Sequence, residues 1–209
     1  MALQTSVKIS NVNNLSDARY CAGMGVDLLG FSIEPGNENF ISNEKFNEIT
    51  EWISGVEYVG EFETDDLRLI NDKISKYPIS YVQFAHADLA SAIASTGLSA
   101  IFRISAPENW NDEDFHDTIN YCSDRVDFIL IDGIENFEDP LTLSKLKEIC
   151  ERYDVFLGGN LDKKQVLKLL KKVPAKGISL KGGTEIKPGY KDFDGLADIL
   201  EEIEVDDVD

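Results

Sequence analysis

Short apolar runs alternate with longer amphipathic stretches along the whole chain. The short runs are rich in β-branched and aromatic residues and lack strict alternation, which is typical of parallel strands buried on both faces. They lie at residues 7–10, 28–33, 58–62, 80–84, 100–104, 128–132, 155–157 and 177–180. The pattern therefore predicts eight buried strands.

The segments between these runs carry apolar residues at spacings of three and four, as amphipathic helices do. Phe46, Ile49 and Ile53, for example, share one helical face. Eight helices are predicted, beginning at about residues 16, 42, 65, 88, 112, 141, 162 and 193. We expect Gly23 to end the first helix in the left-handed conformation. The acidic residues 204–209 are expected to fray.

Eight strand–helix units follow one another without a linker or a low-complexity segment. This order predicts an α/β fold, a closed (β/α)8 TIM barrel of minimal length, with residues 1–209 forming one domain. An open, doubly wound sheet is the alternative. The near-equal length of the units favours closure of the sheet into a barrel.

Composition limits the classes of partner. The 209 residues include 20 Lys and Arg against 39 Asp and Glu, a formal net charge of −19, while 43% hydrophobic residues suffice for a core. This acidity disfavours nucleic acid and anionic membrane surfaces. No apolar run approaches the roughly 20 residues that span a bilayer. The first six residues lack the pattern of a secretory signal, so we expect a cytoplasmic protein.

The cysteines and histidines do not form a metal-binding pattern. Cys21, Cys122 and Cys150 are far apart in sequence and include no C-x-x-C pair. We expect three buried thiols rather than a disulfide or a zinc site. His86 and His116 are too distant from each other to suggest a metal cluster, and we expect His86 in a loop. No metal and no cofactor are predicted.

Two glycine pairs follow the seventh and eighth predicted strands, where barrels commonly bind phosphate. Gly158 and Gly159 follow the seventh strand, and Lys181, Gly182 and Gly183 follow the eighth. Glycines let backbone N–H groups approach an anion closely, and a lysine adds charge. These five residues predict a site for a phosphorylated small molecule.

Several charged or polar residues lie within or at the end of predicted strands. Asp132 ends the sixth strand, where it could bond loop amides or act as a general acid. Lys8 and Ser10 share one face of the first strand because side chains alternate along a strand. Arg103 lies among apolar residues and needs a carboxylate or an anionic ligand, and Glu61 is the carboxylate that we consider.

Seven segments, in the same order, resemble the phosphoribosylanthranilate isomerase family. Residues 7–11, V-K-I-S-N, are similar to its V-K-I-C-G. The other segments are residues 22–31 (A-x-x-G-A-D-x-x-G-F in the family), 58–62 (V-G-V-F), 82–84 (the start of V-Q-L-H-G), 129–132 (L-L-D), 157–161 (L-A-G-G-L) and 182–192 (S-G-V-E-x-x-P-G-x-K-D). The resemblance implies the same barrel and an Amadori rearrangement of a phosphoribosyl amine in tryptophan biosynthesis.

The resemblance also implies roles for individual residues. Asp132 matches the general acid that helps to open the ribose ring. Ser10 stands where the family has the cysteine that removes a proton from the adjacent carbon. Lys8, Gln83 and Arg103 are candidate substrate-binding residues.

The chain departs from the family pattern at further positions. Asn39 stands in place of the arginine that binds anthranilate, Ala85 in place of a histidine and Ser179 in place of an aspartate. Residues 133–140 replace a G-G-T-G stretch.

Three functions are compatible with these observations. The first is the isomerase reaction of the family. The second is a non-catalytic barrel that binds a phosphate ester or a partner. The third is a different enzyme that acts on another phosphorylated small molecule through Asp132, with Glu61 or His86.

Overall fold

Eight parallel strands close into a barrel in chain order. The computed structural model describes residues 2–159, 161–182, 184–187, 190–192 and 194–205. The barrel strands are β1 (Ser6–Ser10), β2 (Leu28–Ser32), β3 (Glu57–Glu61), β4 (Tyr81–Phe84), β5 (Ser99–Ser105), β6 (Phe128–Ile134), β7 (Val155–Gly159) and β8 (Gly177–Lys181). β1 pairs with β8 from Ser6↔Gly177 to Ser10↔Lys181, which closes the sheet. The predicted (β/α)8 barrel is confirmed, and the open sheet is wrong.

One helix follows each barrel strand, as predicted. The helices are α1 (Leu15–Gly23), α2 (Asn43–Thr50), α3 (Leu67–Ile74), α4 (Ala90–Ala94), α5 (Glu113–Ser123), α6 (Pro140–Cys150), α7 (Lys163–Lys172) and α8 (Asp194–Glu202). Side-chain caps fix several of their starts, because an oxygen there accepts from otherwise unpaired N–H groups. Asp162 caps α7 and forms a capping box with Gln165.

The predicted end of the first helix is wrong in detail. Gly23 is the last helical residue, but the residue after it, Met24, keeps a negative φ of −84°. The Met24 N–H still donates to carbonyl groups of the helix, so the turn continues for one more residue. Gly25 then adopts the left-handed conformation, with φ of 78°.

The two ends of the described chain pair with each other. Glu204–Val205 forms an antiparallel bridge with Ala2–Leu3, so the expected fraying is wrong for these two residues. The Gln4 N–H also donates to the Ile203 carbonyl oxygen at 2.9 Å. Residues 206–209 lie outside the described residues. After β8, Thr184–Lys187 and Tyr190–Asp192 form a hairpin that was not predicted.

The interior of the barrel has an apolar layer below a polar one. Leu28, Val59, Ile101, Leu130 and Phe156 form the buried apolar cluster. Side chains two positions further along a strand point to the same face. Glu61, Arg103 and Asp132 follow Val59, Ile101 and Leu130 by two, so they lie on top of this cluster at the carboxyl ends of the strands.

All three cysteines are buried, as predicted, and Cys122 and Cys150 are free thiols. Burial raises the pKa of the Cys122 thiol to about 11 and that of Cys150 to about 12. Within the described part of the chain, no helix is long and apolar enough to cross a membrane.

Candidate active site

A cavity of about 80 Å³ opens above the apolar layer, at the carboxyl ends of the strands. Its lining is mostly polar and consists of Ser10, Asn11, Ser32, Asn37, Glu61, Glu63, Gln83, Arg103, Leu130 and Asp132. The structure thus brings together four of the predicted site residues, Ser10, Gln83, Arg103 and Asp132. This is the end of a barrel at which active sites form.

Lys8 is fully buried directly beneath this cavity. Its ammonium donates to Oε1 of Glu61 and, at 2.6 Å, to Oγ of Ser10. The strand between them carries Gly30, where any side chain would collide with Glu61 and Lys8. The ion pair therefore crosses β2 through the space that this glycine leaves.

Asn11 has a left-handed backbone, with φ of 57°. It is the one non-glycine residue of this kind in the described ranges, and asparagine tolerates the conformation better than most residues. The turn directs the Asn11 N–H to Oε2 of Glu61 at 3.2 Å. Glu61 is thus held at both carboxylate oxygens, by Lys8 at one and by a backbone N–H at the other.

Arg103 pairs with two carboxylates, neither of which is Glu61. Its Nε donates to Oδ2 of Asp132 at 3.1 Å, and its Nη1 lies 2.7 Å from both oxygens of Glu63. The expected Arg103–Glu61 pair is therefore wrong, because Glu61 forms its ion pair with Lys8, which lies beneath it. Burial lowers the pKa of Arg103, but Glu63 and Asp132 outweigh it and the net shift is upward.

Asp132 lies at an irregularity of β6 rather than at its end. The register with β7 shifts between Ile131 and Ile134, and Gly133 takes a φ of 77°. Such a bulge redirects a side chain. The Gly133 N–H donates to Oδ1 of Asp132 at 2.9 Å. A Cβ at Gly158 would lie 2.8 Å from the same oxygen, so Gly158 provides space for the carboxylate.

Gln83 carries an unpaired polar atom at the cavity. The residue is 3% exposed, and its Oε1 has no hydrogen-bond partner among the residues that the structure describes. Leaving a buried acceptor unpaired costs about 1–3 kcal/mol.

The predicted phosphate-binding residues occupy the ends of β7 and β8. A Cβ at Gly159 would lie 2.7 Å from the backbone nitrogen of Ile134, so the close approach of β6 explains this glycine. Lys181 is exposed at the end of β8, and the Gly182 N–H donates to the Ser10 carbonyl oxygen at 3.1 Å. Gly183 lies outside the described residues. Phosphate binding at these loops stays a prediction.

Four further residues line the cavity and were not predicted from the sequence: Glu63, Asn11, Ser32 and Asn37. Glu63 follows Glu61 by two, so strand periodicity could have placed it on the same face. Oε2 of Glu34 accepts from the Glu63 and Thr64 N–H groups at 2.7 and 3.1 Å, which fixes this loop. His86 lies in a loop as expected and bonds the Glu63 carbonyl oxygen at 2.9 Å.

The charges around the cavity nearly cancel. Counted as ionised, Glu61, Glu63 and Asp132 carry three negative charges, and Arg103 with the underlying Lys8 carries two positive ones. Each of these cations is paired with a carboxylate. Among the described residues, no three or more His, Cys, Asp or Glu are grouped to hold a metal ion. The site is equipped for proton transfer and hydrogen bonding.

The family model described as N-(5'-phosphoribosyl)anthranilate (PRA) isomerase matches residues 7–202. The chain belongs to this family. The N-(5'-phosphoribosyl)anthranilate isomerase of Microcystis aeruginosa is 24% identical over 95% of this chain and 97% of its own length. That of Thermotoga maritima is 28% identical over 91% of this chain and 94% of its own. The predicted resemblance to phosphoribosylanthranilate isomerases is confirmed.

Solved structures of the family share the fold. Phosphoribosyl anthranilate isomerase from Thermotoga maritima superposes with a TM-score of 0.78 at 25% identity, covering 95% of this chain and 98% of that one. A phosphoribosyl anthranilate isomerase in complex with reduced 1-(o-carboxyphenylamino)-1-deoxyribulose 5-phosphate gives a TM-score of 0.78 at 24% identity, with the same coverage. The family barrel is therefore present over nearly the whole chain.

Proposed function

We propose that this protein catalyses the Amadori rearrangement of its family, converting a phosphoribosyl amine of the phosphoribosylanthranilate type into the amino-ketose. The observation that carries the proposal is the position of Asp132, the implied general acid. Its carboxylate faces the cavity and is oriented by Arg103 and the Gly133 N–H. A structural neighbour that holds a reduced deoxyribulose 5-phosphate derivative supports a phosphorylated ligand of this class.

In this reaction Asp132 protonates the ring oxygen of the ribose, and the ring opens to an iminium ion. A base then removes the proton from the adjacent carbon. Arg103 orients the acid, and the unpaired Oε1 of Gln83 accepts a hydrogen bond from a hydroxyl group of the sugar. The Ser10 oxygen accepts from Lys8, which leaves the serine O–H as a donor to the ligand. A general acid of this kind contributes about 10²–10⁴-fold to the rate.

The phosphate is assigned to the loops after β7 and β8, as in many barrels of this kind. Gly158, Gly159, Lys181, Gly182 and Gly183 are its proposed contacts. Lys181 is exposed and supplies the positive charge. The proposed enzyme comprises one domain over residues 1–209, and the free thiols of Cys122 and Cys150 suit the proposed cytoplasmic location.

The test is turnover of phosphoribosylanthranilate by the purified protein, together with growth of a strain that lacks the isomerase. Asp132→Asn is expected to lower kcat by about 10²–10⁴-fold. Asp72→Asn is the matched control, because Asp72 lies exposed on α3 and pairs with Lys76. Absence of both turnover and growth would overturn the proposal.

A second function, ligand binding without chemistry, is favoured by two departures from the family pattern, Ser10 in place of the cysteine and Asn39 in place of the anthranilate-binding arginine. Titration with ribose 5-phosphate in a calorimeter distinguishes the two functions. Binding of this probe by a protein that shows no turnover would support the second function.

A further inference from the structure

Two departures from the family pattern meet at a single lysine. Ser10 replaces the cysteine of V-K-I-C-G, and Glu61 replaces the last valine of the third-strand V-G-V-F. The two positions are far apart in sequence, but Lys8 donates to both side chains. Compared with the family pattern, the thiol is missing on one side of the lysine, and a carboxylate is present on the other.

We propose that Glu61 is the general base of this protein and takes over the function of the missing thiol. This inference rests on the proposed isomerase function. Glu61 and Asp132 line the same cavity, so an acid and a base reach one ligand. A carboxylate is a suitable base for removing a proton next to a carbonyl or iminium carbon.

The contacts of Glu61 orient it and leave it able to accept a proton. Lys8 bonds one oxygen and the Asn11 N–H bonds the other. A carboxylate has about four acceptor positions, so each oxygen keeps one for the substrate. Asn11 holds its N–H in place through a left-handed turn, and Lys8 is a positioning residue for the base.

The other candidates at the cavity are less suited to act as the base. Both oxygens of Glu63 bind Arg103, and its side chain is 51% exposed. His86 does not line the cavity and bonds a backbone carbonyl instead. The Ser10 hydroxyl is too weak a base without a partner that accepts its proton, and Lys8 donates to it.

Asp132 and Glu61 both return to their starting protonation states at the end of the reaction. Asp132 gives its proton to the ring oxygen as the bond from that oxygen to carbon 1 breaks and the nitrogen lone pair forms the iminium bond. Glu61 then takes the proton from carbon 2. The C–H electrons form the carbon 1–carbon 2 double bond, and the iminium electrons return to nitrogen. The resulting enol loses its O–H proton to Asp132 and gains the Glu61 proton at carbon 1, which restores both carboxyl groups.

The experiment compares kcat and KM for phosphoribosylanthranilate between wild type, Glu61→Gln and Glu57→Gln. Glu57 lies at the opposite end of the same strand, so it controls for the substitution itself. Glu61→Gln is expected to lower kcat by about 10²-fold or more with KM changed by less than about threefold. Glu57→Gln is expected to match wild type.

A rescue separates loss of a base from structural damage. Adding Ser10→Cys to Glu61→Gln returns a base to the family position and is expected to recover activity by at least about tenfold. The acidic limb of the pH profile should then move to higher pH, because the ordinary pKa of a thiol exceeds that of a carboxyl group by several units. A merely structural role of Glu61 would leave this limb unchanged.

An active wild type whose Glu61→Gln variant keeps more than about a third of kcat would refute Glu61 as the base and leave the isomerase function standing. A wild type without turnover that gains it on Ser10→Cys would overturn both Glu61 as the base and the isomerase function of the native chain. A wild type without turnover or rescue removes both proposals. If Glu61→Gln does not fold, Lys8→Met with Glu61→Val, which leaves no unpaired charge, replaces it in every comparison.

Discussion

The ammonium group of Lys8 and the carboxylate of Glu61 form an ion pair that joins the first and third barrel strands across Gly30 of the second. The exposed fractions of the two side chains are 0% and 8%. Because both side chains are almost fully buried, each charge needs the other as its partner, since an isolated buried charge is costly.

Lys8→Met is expected to lower the free energy of unfolding by about 3–5 kcal/mol, because it leaves the Glu61 charge buried and unpaired. Adding Glu61→Val removes that charge, and the double variant should recover most of the loss. Urea unfolding of wild type, both single variants and the double variant measures the coupling. A Lys8→Met variant within about 1 kcal/mol of wild type would contradict a buried pair.

Two adjacent glycines should respond differently to the same substitution. In Gly158→Ala the new methyl group meets the flexible side chain of Asp132, so kcat is expected to fall by about 10²-fold with little change in stability. In Gly159→Ala it meets the backbone of Ile134, which cannot move aside, and the free energy of unfolding should fall by about 1–3 kcal/mol. Equal effects of both variants on stability would refute this distinction.

The barrel was predictable because strand and helix periodicities differ and repeat eight times. Strand bounds shifted by only one or two residues, as at Phe128–Ile134, which continues beyond Asp132. The bulge at Gly133 was not predictable, since it depends on the register with β7. The pairing of Glu204–Val205 with Ala2–Leu3 was missed because it joins the two ends of the described chain.

The residues of the site were predictable more readily than the ion pairs that they form with one another. Ser10, Gln83, Arg103 and Asp132 were selected by strand position and by resemblance, and they line one cavity. The partner predicted for Arg103 was wrong because a different cation forms the ion pair with Glu61 inside the barrel. This pairing depends on the space that Gly30 leaves free, and sequence periodicity alone does not reveal that space.

Gln83 offers a test in which stability and binding move in opposite directions. Gln83→Met replaces an unpaired buried carbonyl with an apolar group of similar size, so the free protein should gain about 1 kcal/mol in stability. KM should rise, because a hydrogen bond to the substrate is lost. Gln165→Met is the matched control: the Gln165 side chain accepts from the Asp162 N–H, and its loss should cost about 0.5–1 kcal/mol. A loss of stability in Gln83→Met would show that its oxygen is paired.

The buried thiols make stability depend on alkaline pH. The pKa of Cys150 is raised to about 12 from an ordinary 9.0, and that of Cys122 to about 11, so the folded state holds these protons more tightly than the unfolded chain. Their contribution is complete below pH 9 and is lost as pH rises from there toward the folded values. Between about pH 9 and pH 10 each thiol adds a slope of up to about 1.4 kcal/mol per pH unit. Urea unfolding from pH 7 to pH 10 should show this decline, and Cys150→Ala should be less stable at pH 7 but decline less steeply. Equal slopes for the variant and wild type would exclude Cys150 as a cause.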